Sequence, residues 1–244
     1  MTVTPRPIHL FAGRDWDSRD PSGLLKPVLA QSRARAPRIA YIGAASGDDA
    51  GFFRWIARLF RAAGAGKVVL APTAGSGADS EEALRAIRES DFVFVSGGDV
   101  EEGMRVLRRR HLDRHLRKLY MDGKPVFGLS AGAIMMSRCW ARWDEAKEDS
   151  RADPFPCLAL APVICDVHEE GDDWPELRSL LRALEPPAVG FGIPTGSVLR
   201  VSSNGHVRAL GGPVVRLRWN GCDIVRLSDL TSGAIKAAVI PSNY

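Results

Sequence analysis

The chain has 244 residues, of which 45% are hydrophobic and 25% charged, and its formal net charge is +4. No apolar run approaches the roughly 20 residues that cross a bilayer, which excludes a membrane-spanning helix. The opening MTVTPRPIHLFAG lacks the charged start and long apolar core of a secretory signal, so a cytoplasmic location is expected.

The length predicts one domain over residues 1–244. Four cysteines, Cys139, Cys157, Cys165 and Cys222, are widely spaced with no C-x-x-C pair. That argues against a disulfide framework or a zinc site and for buried free thiols. The one dense basic stretch, RVLRRRHLDRHLRK at 105–118, carries no interleaved aromatic residues to stack bases. It reads as a solvated helix face, and no nucleic-acid partner is expected.

In chain order, IHLFAG (8–13) reads as a short buried strand and RIAYIGAA (38–45) as a second. DAGFFRWIARLFRAAG follows with apolar residues at helical spacing and Gly64 as its stop. KVVLAPT (67–73) is a third strand. SEEALRAIRES (80–90) is a helix with Ser80 as its expected cap. DFVFVSGGD (91–99) is a fourth strand running into a glycine pair, helix covers roughly 101–121, and PVFGLS is the next strand. Strands and helices alternate, and the strands are continuous apolar runs, the mark of a parallel sheet covered on both faces. Further on, CLALAPVICDVH (157–168) is a strand, WPELRSLLRAL (174–184) a helix with proline in its first turn, and AVGFGIP (188–194) a strand. From 197 to 227 antiparallel pieces turn at Asn204-Gly205 and Asn220-Gly221. The segments 13–23 and 149–156 read as loops.

KPVFGLSAGAIMMS (124–137) raises the functional question. An apolar strand stops at Ser130, flanked by Gly128, Ala131 and Gly132, and a helical run follows at once. A sharp strand-to-helix turn lifts a nucleophile out of a sheet and tolerates only small neighbours. The following helix aims free N–H groups and a positive dipole end at the same place. A helix cap in an ordinary turn would show the same serine, so the site needs partners. The glycine pair in VSGGD ends a neighbouring strand, and the amides of Gly98 and Ala131 could form a two-donor oxyanion hole. Of five histidines, His9 lies in the first strand, His111 and His115 in the basic helix, and His206 after a hairpin turn. His168 follows the strand APVICDV and arrives at the same sheet edge, which makes it the candidate base.

FVSGGD, then FGLSAGAI, then DVH, then GFGIPTGSVL together resemble the dipeptidase E and cyanophycinase family of serine peptidases over roughly residues 38–201. The resemblance implies a three-layer α/β/α fold with a mostly parallel, flavodoxin-like central sheet. Such a fold is close to the class I glutamine amidotransferase domain, with serine in place of that group's cysteine. It implies Ser130 as nucleophile, His168 as base, Gly98 and Ala131 as oxyanion donors, and Gly97, Asp99 and Val100 beside the substrate.

Three departures bear on activity. The family's orienting glutamate falls at Thr195, a neutral hydroxyl; Asp166, and after it Asp144 or Glu145, could substitute. Val100 replaces a polar residue, and the arginines expected after the histidine give way to HEEGDDW. Glu169, Glu170, Asp172 and Asp173 there predict a preference for basic or neutral side chains, arginine above all.

The reading is a serine-type peptidase acting on small peptides without metal or organic cofactor, as a monomer or homodimer. Activity could be low, because the expected acid is Thr195. A weakly active or inactive relative that binds a small peptide or amino acid is one alternative. An α/β-hydrolase-type esterase is another, since G-x-S-x-G fits both.

Overall fold

A computed structural model describes residues 4–13, 16, 20–142, 152–233 and 235–236. Asp144 and Glu145 lie outside the described residues.

Five short strands run parallel at the centre: β1 (Ile8–Phe11), β2 (Ile39–Ile42), β3 (Val68–Ala71), β4 (Phe92–Val95) and β5 (Val126–Leu129). Their order in the sheet is β1-β5-β4-β2-β3. Three antiparallel strands extend the β1 edge: β10 (Val198–Val201), β11 (His206–Leu210) and β14 (Ile235–Lys236).

The side-chain period of two sorts this sheet by size. Phe11, Tyr41, Phe92, Phe94 and Phe127 face one side, where they meet α1 (Ser22–Leu29) and α2 (Ala50–Ala62). There Phe60 of α2 stands edge-on to Phe94, ring centroids 4.8 Å apart. Smaller residues, among them Ala40, Val93, Val95 and Val126, face the other side. They pack against α3 (Ser80–Glu89), α4 (Val100–Arg109), α5 (Leu112–Met121) and α6 (Ala131–Met136). This is the expected three-layer sandwich.

α6 lies directly on strand backbone. A Cβ at Gly128 of β5 would stand 2.6 Å from the Gly132 carbonyl carbon, and one at Gly132 would stand 2.2 Å from the Val95 oxygen. The small residues around Ser130 therefore let the helix sit directly on the strand ends.

The strand before His168, β8 (Ile164–Val167), is expected at the edge of the central sheet, but it pairs with β9 (Ala188–Ile193) outside that sheet. They form a second sheet with β12 (Val214–Trp219) and β13 (Ile224–Leu230), in the order β13-β12-β9-β8. One face of this sheet packs across α6, through Val167 and Phe191 among others, and the other is covered by α7 (Pro175–Ala183). α6 is thus held between two sheets.

Other boundaries differ from expectation. Residues 22–29 are helical despite Pro27, because Leu25, Val28 and Leu29 bury one face. Asp153–Pro156, expected as loop, is β7, paired with β6 (Cys139–Arg142) in a two-stranded ribbon whose free edge tolerates Pro154 and Pro156. The strand expected from 157 begins only at Ile164. Before it, Leu158 and Ala161 donate to the carbonyls of Met135 and Met136 at the end of α6. Asp79, one residue before Ser80, caps α3 by accepting from the amides of Glu81 and Glu82 at 2.9 and 3.0 Å. Cys139, Cys157 and Cys165 are buried free thiols, while Cys222 is exposed. Among the described residues no helix is long and apolar enough to cross a membrane.

Candidate active site

β5 ends at Leu129, and Ser130 follows with φ 54° and ψ −121°, outside the regions comfortable for a residue with a Cβ. Backbone hydrogen bonds on both sides hold it there. Its N–H donates to the Phe11 carbonyl of β1 at 2.8 Å, and its carbonyl accepts from Ala133 N–H at 2.8 Å. The strand ladder runs into the residue and the helix begins on it, so the side chain projects from the carboxyl edge of the sheet.

His168 arrives from the second sheet, one residue past β8, with φ 70° and its N–H directed to the Ile193 carbonyl at 3.3 Å. Its Nε2 lies 3.1 Å from Ser130 Oγ. In the imidazole tautomer with its proton on Nδ1, the serine hydroxyl donates to Nε2. The sandwiched α6 sets this distance, because it separates the strand that carries the serine from the strand that carries the histidine.

The pair opens into a cleft of about 490 Å³. Gly97 and Gly98, at the end of β4, form one side. A Cβ at Gly97 would sit 3.2 Å from Ser130 Cβ, and at Gly98, with φ 138°, it would meet the Ala45 carbonyl oxygen at 2.0 Å. Ala12 and Gly13, just past β1, and Ser46, past β2, complete the strand-end rim. The far wall is aromatic, made by Phe52 and Trp55 of α2. Ala131 occupies the first position of α6, where an amide has no intrahelical acceptor.

The carboxylates fall in two groups. Glu170 Oε1 accepts from the Thr195 amide at 3.1 Å. Burial alone would raise this carboxyl, but hydrogen bonding from the Thr195 side chain, its own amide and the Thr195 amide holds it below the usual range, helped by the charge of His168. Asp166 goes elsewhere. Its Oδ1 accepts from Val167 N–H at 2.8 Å, and its carboxylate clusters with Glu169 and Glu176, all three within 4.8 Å of one another. Burial, then the neighbouring Glu169 charge, pushes Asp166 well above the ordinary carboxylate range. Burial likewise raises Glu169 and Glu176. The three have metal-ligand spacing, and burial raises all three carboxyls, with the Glu169 charge adding to it at Asp166 and Glu176.

Of the substrate-side residues, Gly97 and Gly98 line the cleft. Asp99 instead caps α4, accepting from Glu102 N–H at 2.7 Å, and Val100 is buried in the core. The acidic run after His168 is spent locally: Glu169 on the cluster, Glu170 on Thr195, and Asp173 on Arg178 at 2.7 Å. None of the four lines the cleft among the described residues, so the expected attraction for arginine has no anchor there. His9 is buried, where desolvation and then Arg200 lower it to about 3. His206 is exposed on β11 and outside the cleft, which leaves the esterase arrangement without its late histidine. Sequence reasoning misses Phe52, Trp55 and Ser46. Their helical spacing and small size read as packing, and only the fold carries them to the serine.

The family model of Peptidase family S51 matches residues 15–208. A protein named "Uncharacterized peptidase YgaJ" from Bacillus subtilis (strain 168) is 30% identical over 131 residues, 54% of this chain and 53% of that one. A cyanophycinase of Synechococcus elongatus is 29% identical over 141 residues, 55% of this chain and 43% of that one. The chain spans about half the length of the curated relatives it matches. Among solved structures, a peptidase from an acI-B1 actinobacterium superposes with a TM-score of 0.73 at 17% identity, covering 97% of this chain and 99% of that one. A candidate peptidase E from Listeria monocytogenes EGD-e gives 0.60 at 15% identity, covering 85% and 99%. At such identities these two likenesses carry the fold alone.

Proposed function

The chain belongs to peptidase family S51, and from that premise we propose a serine-type peptidase of small peptides in which Ser130 is the nucleophile and His168 the general base. The observation that carries this reading is the 3.1 Å contact between Ser130 Oγ and His168 Nε2 on a strained turn at the cleft floor.

Ser130 Oγ attacks the scissile carbonyl carbon as its proton passes to Nε2. The carbonyl oxygen becomes an oxyanion, met by the amides of Gly98 and Ala131. Imidazolium then gives its proton to the leaving amine, the C–N bond breaks, and an acyl-serine remains. A water, deprotonated by the same nitrogen, releases the acid and restores Ser130.

The third member of this arrangement is divided between two residues. Thr195 stands where the family keeps an acid, and it turns its amide to Glu170. Glu170 therefore brings a carboxylate to that loop from the end of β8. Its charge favours the imidazolium formed during attack. It is exposed, so water screens it more than a buried acid, and the turnover should fall short of a complete triad's.

A fluorophosphonate probe tests the nucleophile. Stoichiometric labelling of Ser130 in the native chain, lost in Ser130→Ala together with dipeptide hydrolysis, is the expected result. An unlabelled native chain, or hydrolysis surviving in Ser130→Ala, would overturn the assignment.

A further inference from the structure

The aromatic wall of the cleft belongs to no step above. Phe52 and Trp55 lie three residues apart on α2, and their rings stack with centroids 5.5 Å apart and planes 18° from parallel. Asp49 fixes their turn of helix by accepting from Phe52 N–H at 2.6 Å. The core face of the same helix, Ile56, Ala57 and Phe60, is buried, so α2 cannot roll to hide the pair. Both rings are half-buried and face the space that ends at Ser130.

We infer that the Phe52–Trp55 pair is the specificity element of this peptidase, seating an aromatic or large aliphatic side chain beside the scissile bond. The inference rests on the reading of Ser130 as nucleophile. The rest of the cleft is consistent in chemistry. Leu129, Ala12 and Gly13 add apolar surface, and the polar atoms that face it belong to Ser46, Ser130, His168 and the backbone. Among the described residues no carboxylate or guanidinium lines it. A charged side chain seated there would give up water and gain no counter-ion. An apolar one would bury against two rings already held in place, with little ordering left to lose.

The test separates binding from chemistry. Ser130→Ala is titrated by calorimetry with N-acetyl dipeptide amides bearing Phe, Leu, Ala, Asp or Arg, and the native chain is assayed on the matching peptides. Phe and Leu peptides should bind roughly tenfold to a hundredfold more tightly than Ala, Asp or Arg peptides, and kcat/KM should follow the same order. Adding Trp55→Ala should remove most of the Phe advantage, and Trp55→Phe should keep it, which controls for a fold disturbed by truncation. An Asp or Arg peptide bound best, or a Phe preference that survives Trp55→Ala, would overturn the inference. Fluorophosphonate labelling without an apolar preference would sink the inference and leave the nucleophile standing. An apolar preference in binding without labelling would do the reverse.

Discussion

The amide of Thr195 donates to Glu170 Oε1 at 3.1 Å, which ties the loop after β9 to a carboxylate two residues past His168. Glu170 feels the charge of His168, and the coupling is mutual.

Glu170→Gln should therefore lower kcat/KM by a few-fold, since an exposed charge pair contributes less than about 1 kcal/mol to imidazolium stabilisation. The acid limb of the pH–rate profile should move to lower pH, because imidazolium loses a neighbouring negative charge and deprotonates more readily. Thr195→Glu alone should recover little, since the new carboxylate would sit beside Glu170 and repel it. The double variant Thr195→Glu/Glu170→Gln should exceed Glu170→Gln. Steady-state profiles of the four proteins check this. A Glu170→Gln enzyme with an unmoved acid limb would show that Glu170 does not act through His168.

The central sheet is legible in the sequence because its strands are unbroken apolar runs and the helices between them carry caps and stop glycines. β1 to β5 each fall within a few residues of the expected runs. The Ser130 turn is legible for a related reason: small residues surround a polar one between a strand run and a helix run, a pattern it shares with a helix cap until its partners are placed. His168 follows by elimination, although the geometric reason is different. It comes from a second sheet across α6, and strand runs alone do not say which sheet a strand joins. Asp166 illustrates the limit. Two residues from His168 on a strand, it should share its side, but His168 lies past the end of β8 with φ 70°, where alternation stops. The carboxylate points to Glu169 and Glu176 instead. The aromatic wall is illegible because Phe52 and Trp55 flank the buried stripe of α2, and periodicity alone does not say which apolar residues at its margin stay half-exposed.

Strain at Ser130 offers a test of stability against function. A serine with φ 54° and ψ −121° stores on the order of 1–3 kcal/mol. Ser130→Ala keeps the Cβ and should unfold within about 1 kcal/mol of the native chain. Ser130→Gly relieves the strain but frees the unfolded chain by roughly 0.5–1 kcal/mol, so a net gain of about 1 kcal/mol over Ser130→Ala is expected. Urea unfolding of the two inactive variants gives the difference directly. A Ser130→Gly variant less stable than Ser130→Ala by roughly 0.5–1 kcal/mol, the full cost of the freer unfolded chain, would mean that the turn is not strained by its side chain.

The Asp166, Glu169 and Glu176 cluster should contribute a pH dependence to folding. Burial raises all three carboxyls, and the Glu169 charge adds to the effect on Asp166 and Glu176. Unfolded, they would titrate near their ordinary values of about 4. Between those values and the raised native ones the folded chain holds more protons than the unfolded chain. Linkage then requires stability to fall as pH rises through that window, with the cluster's full contribution present only below it. Asp166→Asn removes the most deeply buried of the three charges and keeps an oxygen to accept from Val167 N–H. The variant should be stabler than the native chain at pH 8 by about 1 kcal/mol or more, since a tenfold change in proton affinity corresponds to about 1.4 kcal/mol. That advantage should shrink toward pH 4, where the native carboxyls are protonated. Urea unfolding at pH 4, 6 and 8 measures it. A variant destabilised equally at every pH would show that Asp166 is an ordinary hydrogen-bonded residue and that the cluster holds no excess protons.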